Sequence, residues 1–171
     1  MDLYETKDRI AIALAESIFR RARYRVQRSP ETPKIRRFAR EEFGPNFTIG
    51  IQVRDGGERE FPVHVSYRPF VEQFISLENQ RRGASMMFLA RRQWPGLRYV
   101  LVTDHPTASR SCFQAILFGP PGSDVFTSVN LSDDEELAIF PHNVTDHEEL
   151  LVRIFAMLSA DRFQREISRV G

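Results

Sequence analysis

The apolar positions of this chain change period along its length, and each change predicts an element. Ile10, Leu14 and Ile18, with Ala11 and Ala22, recur at helical spacing and predict one amphipathic helix over residues 3–28. Its tail, 24–27, alternates Tyr24 and Val26 with polar residues and admits a short strand instead. Ser29 to Pro33 is a break, and 33–42 predicts a short helix with a basic outer face, closed by Phe43, Gly44 and Pro45. The period then falls to two. Phe47, Ile49, Ile51 and Val53 face one way, and Thr48, Gly50 and Gln52 the other. After a turn over 54–58, Phe61, Val63, Val65 and Tyr67 face the core, while Pro62, His64, Ser66 and Arg68 face outward.

Helical spacing returns over 70–93, with Gly83 as a weak point, and Trp94, Pro95 and Gly96 stop it. The nearly continuous apolar run 97–103 reads as a central strand covered on both faces. Residues 111–118 follow as a strand and 124–129 as a short edge strand. Thr145 and Glu148 form a capping box that opens a helix to residue 167, with Leu150, Leu151, Ile154, Phe155 and Leu158 inward. This order predicts an α/β fold in a single domain over 1–171, a three-layer α-β-α arrangement around a mixed central sheet.

Composition narrows the class. With 42% hydrophobic and 27% charged residues among 171, the chain is neither a disordered tail nor a fibrous repeat. The single cysteine, Cys112, excludes an internal disulfide and reads as a small buried apolar residue. No apolar run approaches the roughly 20 residues that cross a bilayer. The acidic start, Met1 to Thr6, has no signal-peptide pattern, so the expectation is a cytoplasmic protein with no membrane partner. Charge is unevenly spread: residues 1–40 hold 11 Lys or Arg against 5 Asp or Glu, and residues 121–171 hold 4 against 10. That asymmetry predicts either a basic face for a polyanion or two chain ends that neutralise each other.

The stretch Gly44-Pro45-Asn46-Phe47-Thr48-Ile49-Gly50-Ile51, then a turn, then Phe61-Pro62-Val63-His64-Val65-Ser66-Tyr67-Arg68, then a helix and the strand 97–103, resembles the core of the PD-(D/E)XK nuclease superfamily. The resemblance covers residues 45–103, with Glu16 at the place of an accessory acid. It implies a restriction-endonuclease-like fold of helix, hairpin, helix and strand. In that family a Pro-Asp acid and a Glu hold magnesium, and a Lys positions the attacking water. Here those positions read Asn46, His64 and Ser66. Magnesium wants hard oxygen ligands; a neutral amide, an imidazole and a hydroxyl remove two negative charges and one positive. The resemblance therefore implies a non-catalytic member without metal or other cofactor.

His64 and Ser66 lie two apart on a strand, yet a nucleophile pair needs an orienting third group and an oxyanion hole. His64 with His105 and Asp104 lacks metal-ligand spacing. His142 and His147 flank the capping box and are expected to face solvent, and 133–136 reads as a solvated acidic loop. Arg21, Arg25, Arg36, Arg37, Gln80, Arg81 and Arg82 are candidates to track a phosphate backbone without reading bases, the alternative being a set of exposed basic helix faces. The expected function is a nuclease-like module that binds a DNA or RNA backbone or assembles with a protein. Two alternatives stand beside it. One is a protein-interaction subunit without nucleic-acid contact. The other is a metal-dependent nuclease with ligands relocated to Glu16, Asp55, Glu60 and Asp104. The sequence sets no oligomeric state.

Overall fold

The computed structural model describes residues 2–29, 35–38, 41–120 and 122–170, with side chains for all of these except 35–38, 41, 42, 162, 163 and 170. Asp2 caps the first helix, α1 (Leu3–Arg21), by accepting from the Glu5 amide at 2.8 Å. That satisfies one of the amides a helix start leaves open. Ala11, Ala15, Ile18 and Phe19 form its buried stripe. The helix stops short of residue 28. Arg23 adopts φ 68°, which ends the helical run, and β1 (Arg25–Arg28) follows. The helix expected over 33–42 is likewise corrected among the described residues to strands β2 (Ile35–Phe38) and β3 (Glu41–Phe43), paired antiparallel with Ile35 opposite Phe43. Phe43 is 1% exposed in the core beside Met87 and Tyr99. Burying that ring outweighs the weak local helical preference.

Strands β4 (Phe47–Gln52) and β5 (Glu58–Tyr67) form the expected ribbon, with Phe47 opposite Val63 and Gln52 opposite Glu58. The segment expected as one helix over 70–93 is two helices, α2 (Val71–Arg81) and α3 (Met86–Gln93), joined by a 3₁₀ turn at Arg82–Ala84. Ser85 recaps α3 by accepting from the Met87 amide at 3.2 Å. The pair carries the chain over the sheet to β6 (Arg98–Val102), parallel to β5 with Val65 opposite Val100. Strands β7 (Phe113–Phe118) and β8 (Phe126–Asn130) complete the sheet antiparallel.

The result is a mixed α/β fold, an open six-stranded mixed sheet in the order β1-β4-β5-β6-β7-β8 with four α-helices among the described residues. Helices cover both faces. Phe47, Ile49, Val63, Val65, Val100 and Val102 pack with α1 and with the last helix, α4 (His142–Val170). Tyr99, Leu101, Ile116 and Phe126 pack with α2 and α3. The alternation of Tyr99 and Leu101 against Val100 and Val102 is the signature of a central strand buried on both sides.

Five side-chain expectations are corrected by the fold. His64 and Ser66 lie on the face covered by α2 and α3, 5% and 7% exposed, rather than facing outward. His147 is buried, because α4 starts just after Pro141, earlier than the capping box, and Thr145 Oγ1 donates back to the Pro141 carbonyl at 3.0 Å. Leu150 is exposed and Asp134 is buried. Among the described residues no helix is long and apolar enough to cross a membrane.

Candidate functional site

At the start of the β4–β5 ribbon, Asn46 extends the ladder by one residue. Its amide donates to the Val63 carbonyl at 2.8 Å, and its side-chain Oδ1 accepts from the Val65 amide at 2.7 Å. The Asn46 amide group thus stands in for a strand partner. His64, one residue from Val65, points into the α2/α3 layer. Its Nδ1–H donates to the Gly44 carbonyl at 2.8 Å, which fixes the ring orientation. The ring stacks on Phe43 and meets Tyr99 edge-on, both with centroids at 5.5 Å. Ser66 follows on the same face. Asn46 is turned to the ribbon backbone, whereas His64 and Ser66 enter the helical layer.

The arginines singled out from the sequence divide by their partners. Arg21 pairs with Asp146 of α4 at 2.8 Å. Arg25 reaches across Gly50 to Glu58 at 2.8 Å and also pairs with Glu60. Arg81 pairs with Glu78 at 3.1 Å. Arg36 and Arg37 lie on β2, and their side chains fall outside the described residues. Gln80 and Arg82 line an open groove of about 780 Å³ between α2 and β8. Exposed pairs of this kind contribute little stability, but they occupy the guanidinium groups.

The relocated carboxylates do not converge. Glu16 is buried on α1 between Arg20 and Arg28, each at 3.3 Å. Glu60 faces Arg25, Asp55 sits in the β4–β5 turn, and Asp104 follows β6. Among the described residues no three His, Cys, Asp or Glu side chains gather in a way that holds a metal ion.

Asp104 instead anchors a polar cluster at the carboxyl ends of the parallel strands β5 and β6. Lys7 Nζ lies 3.1 Å from its Oδ2, with the two side chains 9% and 7% exposed. The Tyr67 hydroxyl donates to Oδ1 at 2.8 Å, and His105 Nδ1 lies 3.1 Å away. Burial alone would raise the Asp104 carboxyl. The hydrogen bonds from Tyr67, Lys7 and His105, with the Lys7 charge, outweigh it and hold the group below the usual carboxylate range. Burial and the bond to Asp104 push the Tyr67 phenol upward, so it stays protonated and donating. Lys7 also lies over the rings of Tyr67 and Phe155, at 5.3 and 5.0 Å. The sequence reading passed over Lys7, although it sits four residues before Ala11 in the stripe that α1 buries. A lysine in register with a buried stripe was the available signal.

No family model matches this chain, and neither does any curated protein or solved structure.

Proposed function

We propose that this chain is a nuclease-like domain without the nuclease chemistry, serving as a nucleic-acid-associated binding or assembly module. The observation that carries the reading is the fate of Asn46 and His64. At positions where the resembled family holds a metal, one side chain bonds the Val65 amide and the other bonds the Gly44 carbonyl between two aromatic rings. Groups so engaged support the ribbon and the layer above it. The chain order of α1, the β4–β5 ribbon, α2 and β6 supports the restriction-endonuclease-like arrangement. A fold reused without its chemistry is common, since function lies in sites and not in architecture.

The test is a mobility shift and a cleavage assay run side by side on plasmid and single-stranded DNA and RNA with magnesium or manganese. Salt-sensitive retention without cleavage is the expected result. Cleavage lost in Asp55→Ala or Glu60→Ala would instead favour relocated ligands and overturn the reading.

One observation favours a second reading, a protein-interaction subunit without nucleic-acid contact. Arg21 and Arg25 of the basic N-terminal segment already face Asp146, Glu58 and Glu60. Under that reading neither nucleic acid is retained even at low salt.

A further inference from the structure

We infer that the groove between α2 and β8 grips the phosphate backbone of a single nucleic-acid strand through Arg82 and Arg110; this rests on the nucleic-acid reading above and moves the contact to the far edge of the sheet from Asn46. Two independent features point there.

The first is backbone conformation. Arg82 has φ 48° and ψ −127°, the dihedrals of the first central position of a type II′ turn, which glycine dominates. A side chain there is strained. Glycine is present one position later, at Gly83, yet the strained position carries arginine. Among the described residues Arg82 makes no ion pair and no side-chain hydrogen bond, unlike its neighbour Arg81. Strain held without an internal side-chain partner is compatible with a ligand contact.

The second is the groove itself. β8 is an edge strand, and its outward backbone is already engaged. Asn79 accepts from the Phe126 amide at 3.0 Å and donates to the Phe126 carbonyl at 2.9 Å. Arg110 Nη1 donates to the Ser128 carbonyl at 3.0 Å. The strand is thereby closed to pairing with another strand along these residues, so a β-extended protein segment is not the favoured occupant. What the groove offers is the guanidinium of Arg82, the remaining donors of Arg110, the amide of Gln80, and the apolar side chains of Ile75 and Val125. One carboxylate, Glu72, also lines it and accepts from Thr107 Oγ1 at 3.0 Å. Among the lining residues two cations stand against one engaged anion, with Asp124 Oδ2 beside Gly83 at the rim, and this balance favours an anionic ligand over a neutral one. An open volume of about 780 Å³ accommodates part of one strand. Guanidinium groups suit phosphate oxygens, and the aliphatic side chains of Ile75 and Val125 give apolar surface for sugars, without the exposed aromatic ring on which bases stack.

The test is fluorescence anisotropy with a labelled oligothymidylate of about twelve nucleotides, its RNA counterpart, the matching duplex and polyglutamate. Wild type is expected to bind the single strands best, with affinity falling steeply with salt. Arg82→Gln and Arg110→Gln should each weaken binding about tenfold and flatten the logarithmic salt slope by about 0.7. Arg82→Gly should weaken binding equally while raising the thermal midpoint, a pairing that a purely structural arginine would not give. Arg54→Gln, the same charge change in the β4–β5 turn, should leave binding unchanged. Binding that survives both groove substitutions with its slope intact overturns the groove assignment and leaves the nucleic-acid reading standing. Absence of any wild-type binding overturns both. Tighter binding of polyglutamate or of the duplex overturns the single-strand assignment.

Discussion

Replacing Lys7 by methionine isolates the buried charge pair of Lys7 with Asp104. Methionine keeps the length of the lysine stem, so the rings of Tyr67 and Phe155 retain a neighbour and little cavity forms. What disappears is the cation 3.1 Å from Asp104 Oδ2, between side chains 9% and 7% exposed. Removing one partner of a buried pair typically costs 3–5 kcal/mol. Here Asp104 keeps the Tyr67 hydroxyl and, when it is protonated, His105. The expected loss is therefore at the low end, about 3 kcal/mol near pH 7. Urea unfolding of Lys7→Met, Asp104→Asn and the double variant closes a cycle whose coupling should be about 1–3 kcal/mol. The sign with pH is fixed as well. Asp104 titrates below its unfolded value in the native state, so its contribution is complete above about pH 4 and is lost as pH falls through the native value. The difference between wild type and Lys7→Met should shrink toward acid pH. A loss under about 1 kcal/mol, the size of an exposed pair, with no coupling and no pH dependence, would refute the description of this cluster as a buried anchor.

Three further outcomes follow from the same structure. Glu78 is 1% exposed and accepts from Ser85 Oγ at 2.8 Å and from Arg81, so it ties α2 to the cap of α3; Glu78→Ala should cost about 2–3 kcal/mol in urea unfolding and speed hydrogen exchange at the Met87 amide. His147 is buried with Nε2 at 2.9 Å from Ser17 Oγ, and burial, followed by the Arg21 charge, holds its pKa down against the opposing pull of Asp146. The unfolded chain binds that proton more readily, so stability should be full above about pH 6.5 and fall as pH drops below it, a trend that His147→Leu should flatten. Burial, reinforced by Glu148, pushes the Cys112 thiol up to about 12, so a thiol reagent at pH 8 should label it only at the rate of unfolding.

What the sequence disclosed followed the strength of its periods. The β4–β5 ribbon and β6 were legible because alternation and a continuous apolar run each admit few other structures. The segment 33–42 was not legible, because it holds few apolar residues and its strands depend on Phe43 finding the α3 layer. The faces of β5 misled for a related reason. His64 and Ser66 look outward by polarity, but a strand beside a crossover helix is covered on both sides, and His64 tolerates this because the Gly44 carbonyl satisfies its ring. The resemblance picks out Asn46, His64 and Ser66 by their order, but the groups they meet are not legible in the sequence. Those partners are backbone groups and rings brought together by pairing, including Tyr99, thirty-five positions beyond His64.

Charge shows most clearly why a linear reading stops where it does. Residues 1–40 carry the cationic excess. Folding sets Arg21 against Asp146 at a separation of 125 residues, and Arg25 against Glu58 and Glu60 on the neighbouring hairpin. Arg20 and Arg28 close on the buried carboxylate of Glu16. The middle of the chain, with 9 cations against 8 anions in residues 41–120, looks unremarkable by count. Yet it supplies Arg82 and Arg110, whose guanidinium groups make no ion pair among the described residues. A polyanion responds to cations left over after pairing, not to cations per segment. Since pairing is set by strand order and helix placement, net charge per segment does not tell which cations are left unpaired.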